Sequence, residues 1–104
     1  MKSIQSLITV VDDDSSVREA LPDLLKELGY SSAAFSSAKA FLSSTYIGTT
    51  RCLILDVAMP DMTGPELHRE LQRLRHTIPV IFITALGDEA LRPRLLAEGL
   101  RRPS

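Results

Sequence analysis

Four aspartates and one threonine stand directly behind apolar runs of this chain. "LITVV" (7–11) is followed by Asp12, Asp13 and Asp14, "CLIL" (52–55) by Asp56, and "VIFI" (80–83) by Thr84. If the runs are strands of one open α/β sheet, their carboxyl ends share a rim, and such sheets bind ligands beyond that rim. Carboxylates crowded there repel one another, and burial raises the cost of keeping them charged. The arrangement needs a cation. Hard oxygen ligands suit Mg2+, which binds through one or two carboxylates and fills its shell with water or a phosphate oxygen. A phosphoryl group is then a natural occupant: an aspartate can attack it in line, the metal neutralises its charge, and the Thr84 hydroxyl can bond an equatorial oxygen.

Each residue also has a plainer reading. Asp14, or Ser15 beside it, can simply cap a helix. Asp12 and Asp13 can lie in a solvated turn, Asp56 can cap the turn before Pro60, and Thr84 can be an ordinary β-branched strand residue. What favours chemistry is that all of them fall at strand ends, in the order such a site requires.

The elements that must hold these residues are readable from period and punctuation. After the first run, Val17, Leu21, Leu24, Leu25 and Leu28 recur at helical steps and Gly29 stops the helix. Pro22 lies inside it, where the lost hydrogen bond and the clash with the preceding turn cost about 3 kcal/mol. "SSAAF" is a weak strand, and "SAKAFLSS" a short helix with Ser36 or Ser37 as its cap. "CLILD" (Cys52 to Asp56) is a second strong strand. Gly64 and Pro65 open a helix whose apolar stripe is Leu67, Leu71 and Leu74, and "PVIFITA" (Pro79 to Ala85) is a third strong strand. A last helical segment runs from Asp88 to Gly99, with Leu91, Leu95 and Leu96 and an interruption at Pro93, which delays the helix until Arg92 caps it. Strands alternating with helices and lacking hairpin signals predict a parallel sheet with right-handed crossovers. The strands' continuous apolar character demands cover on both faces.

Length and composition bound the function. With 104 residues the chain reads as one domain, and its 44% hydrophobic and 24% charged residues are ordinary for a globular protein. A net charge of −1 gives no bulk attraction to nucleic acid or to an anionic membrane. The single cysteine, Cys52, cannot form an internal disulfide, and no apolar stretch is long enough for a secretory core or a membrane span. The expected location is cytoplasmic. His68 and His76 read as surface residues, and Met59 and Met62 as loop packing.

With "VVDDDSSVREAL", "LILDVAMPDMTGPEL" and "PVIFITALGDEA", the chain resembles the receiver domain of bacterial two-component response regulators, particularly those preceding LuxR-type DNA-binding domains. The resemblance implies a flavodoxin-like (CheY-like) α/β fold, with a parallel sheet of strand order 2-1-3-4-5 and helices on both faces. It implies Asp56 as the phosphoacceptor for a sensor histidine kinase. Mg2+ would be bound by Asp13, Asp56 and the backbone carbonyl of Ala58, with Asp12 acting through metal-bound water. Thr84 would switch inward onto the phosphoryl group with Ala85 beside it, and Pro60 and Gly64 would position the loop.

Such receivers continue with a fifth strand, a Lys-Pro pair and a fifth helix, whereas this chain ends "LLAEGLRRPS". It therefore reads as a receiver incomplete after its fourth helix, truncated at its C-terminal side. Arg102, with Pro103, is a weak counterpart of the Lys-Pro pair, and a basic tail is the plainer reading. The missing unit would leave one sheet face partly uncovered and the "VIFIT" strand as an open edge. That predicts a homodimer through the uncovered face, the edge strand or the fourth helix. Two rivals follow: an association module that no longer signals, and a Mg2+-dependent aspartyl phosphatase of the haloacid dehalogenase type. Against the phosphatase, Ala58 stands where that family places a second aspartate.

Overall fold

The computed structural model describes residues 7–83. Within them four parallel strands, β1 (Leu7–Val11), β2 (Ser31–Phe35), β3 (Cys52–Asp56) and β4 (Val80–Ile83), form one sheet of order β2-β1-β3-β4. They alternate with helices α1 (Ser15–Glu27), α2 (Ala38–Leu42) and α3 (Gly64–Arg73), and a 3₁₀ turn (Thr45–Gly48) follows α2. This is the CheY-like α/β arrangement. Thr84, Ala85, the segment from Asp88 to Gly99 and Arg102 lie outside the described residues.

Side-chain alternation divides the core in two. Ile8, Val10, Cys52, Ile54, Ile81 and Ile83 form one cluster with Val17, Leu21 and Leu25 of α1. Val11, Leu53 and Leu55 form the other with Ala38, Phe41, Leu67, Leu71 and Met59. The expected uncovered face is corrected here: Ile81 and Ile83, the β4 residues on the α1 side, are 6% and 0% exposed. Their side chains are taken into the α1-side cluster. Among the described residues β4 does end the sheet, pairing only with β3.

Local chemistry explains the helix limits. The Asp14 side chain accepts the Ser16 N–H at 2.8 Å and caps α1. The helix ends when Gly29 takes φ 92°, letting its N–H bond Lys26 and the Tyr30 N–H bond Leu25. Pro22 sits within α1 without ending it, so the Arg18 carbonyl lacks its usual donor four residues on. Ser37 rather than Ser36 caps α2. Thr63 and Glu66 form a reciprocal capping box at the start of α3, ahead of Pro65.

Two further expectations are revised. Leu74 is not part of the α3 stripe but its C-cap, 43% exposed, because the helix stops at Arg73 and the chain turns away. His68 is half-buried, its ring edge against Phe82 with centroids 5.8 Å apart, since it follows Leu67 on the sheet-facing side of α3.

Candidate functional site

Strand parity brings the carboxylates together. Residues 8, 10 and 12 of the first strand and its exit, and residues 52, 54 and 56 of β3, project to the same sheet face, and the register pairs Ile8 with Cys52 and Val10 with Ile54. Continued by one step, that register sets Asp12 beside Asp56. Asp13 completes the group: one carboxylate oxygen from each of Asp12, Asp13 and Asp56 lies within 4.8 Å of the others. They border a cleft of about 240 Å³ at the carboxyl edge of the sheet, lined also by Asp14, Val17, Val57 and Ala58.

The loop that carries Asp12 is tied from three sides. Its N–H donates to the Phe35 carbonyl at 3.1 Å, continuing the β1–β2 ladder. Its Oδ1 accepts the Asp14 N–H at 2.9 Å, and its backbone carbonyl accepts Nη1 of Arg18, also at 2.9 Å. Asp56 is held at the tip of β3, where the next N–H, that of Val57, donates to the Ile83 carbonyl at 3.0 Å. Its Oδ1 accepts the Ala58 N–H at 3.3 Å. Gly64 folds the loop back, its N–H donating to the Val57 carbonyl at 3.0 Å. A Cβ at Gly64 would stand 2.4 Å from the Asp56 carbonyl oxygen, so only glycine fits without displacing the backbone that carries Asp56. Pro60 is exposed in the same loop, and Met59 beneath it is buried in the α3-side core with Met62 packed against it, as the sequence implies.

The electrostatics record the crowding. Asp12 is 4% exposed, and burial, with the charges of Asp56 and Asp13 behind it, pushes its carboxyl from 3.8 to about 6 against the lowering effect of the Asp14 N–H. Asp56 is likewise raised, first by burial and then by its contact with Asp13, while the Ala58 N–H works the other way. Three converging carboxylates, two of them buried and reluctant to ionise together, are a donor set that fits a hard divalent cation such as Mg2+.

The structure thus brings Asp12, Asp13 and Asp56 together at one cleft, with Ala58 on its wall. Asp14 lines the rim while its carboxylate serves as the α1 cap. Arg18 was missed; its signal was position, one turn into the helix that follows the acidic loop. Cys52 is buried in the core with its thiol pushed up by burial, which leaves it unreactive. Among the described residues no helix is long and apolar enough to cross a membrane.

Comparison with known proteins agrees with this geometry. The family model of the response regulator receiver domain matches residues 8–102. The response regulator protein TodT of Pseudomonas putida is 40% identical over 99 residues, covering 95% of this chain and 44% of TodT. The transcriptional regulatory protein FixJ of Rhizobium meliloti is 36% identical over 92 residues, covering 88% of this chain and 45% of FixJ. The chain thus spans less than half the length of these relatives. Among solved structures, response regulator StyR superposes with a TM-score of 0.73 at 40% identity, covering 91% of this chain and 48% of StyR. TrrA from Thermotoga maritima, solved in complex with Mg2+ and BeF, gives 0.70 at 28% identity, covering 88% of this chain and 80% of TrrA. The acidic cleft at the strand tips, the strand order and these matches lead to one conclusion: the chain belongs to the response regulator receiver domain family of two-component signalling.

Proposed function

We propose that the chain acts as a single receiver domain that takes a phosphoryl group from a sensor histidine kinase onto Asp56. The observation that carries this reading is the convergence of Asp12, Asp13 and Asp56 on one cleft, with Asp56 at the tip of the central β3 strand. A carboxylate oxygen of Asp56 attacks phosphorus in line, the P–N bond to the kinase histidine breaks, and the departing imidazole takes up a proton. Asp13, Asp56 and the Ala58 carbonyl would hold Mg2+, with Asp12 acting through water in its shell. Bound there, Mg2+ neutralises charge on the phosphoryl oxygens. Ala58 N–H keeps one Asp56 oxygen fixed, and Gly64 and Pro60 keep the loop close. Thr84 and Ala85 follow β4 in sequence and, in this reading, meet the phosphoryl group. That TrrA was solved in complex with Mg2+ and BeF supports Mg2+ as the cation in this reading. The role is that of a switch rather than a turnover enzyme.

The test is intact-mass analysis after treatment with a small phosphodonor and Mg2+. One phosphoryl adduct that Asp56→Asn abolishes is expected. An adduct that persists in the variant contradicts the assignment.

A further inference from the structure

We propose that Arg18 is a positioning residue for the divalent-cation site, acting from α1 through the backbone of Asp12. The inference rests on the receiver reading above, because it concerns the same cleft. The Asp12 carbonyl that Arg18 Nη1 holds at 2.9 Å belongs to the planar peptide unit joining Asp12 to Asp13. Rotation of that one plane changes ψ of Asp12 and φ of Asp13 together, and so re-aims both carboxylates. The other ties on this loop act elsewhere: the Asp12 N–H is held by Phe35, and Asp12 Oδ1 by the Asp14 N–H. Arg18 alone among these partners grips the plane between the two ligand residues. Its bond is charge-assisted, and its partly buried stem lies in α1 one turn past the capped first residues.

The sign of the effect separates positioning from simple charge. A guanidinium beside a cation site repels the cation, so a purely electrostatic Arg18 would weaken Mg2+ binding and its removal would tighten it. A positioning Arg18 does the reverse. Supporting groups behind a metal site are commonly worth tenfold or more in affinity.

The experiment is a Mg2+ titration of the full chain by calorimetry and by ¹H–¹⁵N spectra, at fixed ionic strength and at a temperature where circular dichroism shows each variant folded. Arg18→Ala is expected to bind Mg2+ about tenfold more weakly than the wild type, with the shift changes on Mg2+ addition diminished at Asp12, Asp13 and Asp14 while the strand amides stay in place. Arg18→Lys, which keeps a cationic donor, is expected to recover most of the loss. Unchanged or tighter binding in a folded Arg18→Ala protein overturns the proposal while leaving the receiver reading intact. A wild type without a saturable Mg2+ site overturns both. Should Arg18→Ala not fold, Arg18→Gln makes the same comparison.

Discussion

Neutralising Asp12 should stabilise the metal-free protein, and only above mildly acidic pH. Asp12 is 4% exposed, and its carboxyl is raised from 3.8 to about 6 in the folded chain. The native state therefore holds a proton that the unfolded chain has already released between those values. Because the unfolded state binds fewer protons there, stability falls as pH rises through that window, and the full penalty is present above about pH 6. At about 1.4 kcal/mol per tenfold change in proton affinity, the interval amounts to about 3 kcal/mol at most. Asparagine keeps the oxygen that accepts the Asp14 N–H but leaves a buried amide to satisfy, so Asp12→Asn should gain about 1–2 kcal/mol at pH 7.5. That corresponds to a rise in Tm of about 5–10 °C. Thermal melts followed by circular dichroism in chelator at pH 7.5 and at pH 5 provide the assay, with the gain shrinking at the lower pH. Saturating Mg2+ should narrow or reverse the order at pH 7.5, since binding to the native triad stabilises the wild type more than the variant. An Asp12→Asn protein no more stable than the wild type in chelator at pH 7.5, or one whose gain is independent of pH, would refute the reasoning.

Other outcomes follow from single contacts. Gly64→Ala places a Cβ 2.4 Å from the Asp56 carbonyl, and the overpacking should cost about 1–3 kcal/mol in urea denaturation while also weakening Mg2+ binding through the displaced β3 tip. Arg75 holds φ 67° at the end of α3, where its N–H bonds Gln72 and the His76 N–H bonds Leu71, the same closure that Gly29 makes after α1. Arg75→Gly should therefore raise the denaturation midpoint, by up to about 1 kcal/mol in stability. The buried hydroxyls of Thr9 and Thr50 lie 2.7 Å apart, and Thr50 donates onward to the Tyr46 carbonyl, so Thr9 is the donor to Thr50. Thr50→Val strands the Thr9 hydroxyl, while the Tyr46 carbonyl keeps the Thr49 and Thr50 N–H groups, and should cost about 1–3 kcal/mol, whereas Thr9→Val leaves the Thr50 bond intact and should cost less. Equal losses in equilibrium unfolding would contradict that order.

The legible parts of the fold were those written in period and in strand termini. Apolar runs with carboxylates behind them located β1, β3 and the acidic rim, while the face shared by Asp12 and Asp56 came with the register that pairs Val10 with Ile54. Asp14 as a cap, Gly29 as a stop and the Gly64–Pro65 entry were equally readable, because each carries a local conformational reason. Tertiary features were not. The 3₁₀ turn at Thr45–Gly48 depends on Ser44 capping the Tyr46 N–H and on Thr49 and Thr50 returning bonds to Tyr46, a pattern without a hydrophobic period. The exposure of Leu74 follows from where α3 ends, and the cover over Ile81 and Ile83 from packing between distant segments. Arg18 was not legible, since nothing local ties an arginine to a carbonyl six residues back.

Labelling of Asp56 in the presence and absence of a divalent cation tests the central claim most directly, because it requires nucleophile and acidic triad to act together. With a small phosphodonor and Mg2+, peptide mapping should place the phosphoryl group on Asp56, with none in Asp56→Asn, slow labelling in Asp13→Asn and almost none in chelator. Labelling at equal rate with and without Mg2+, or on a residue outside the Asp12–Asp13–Asp56 cleft, would contradict the account.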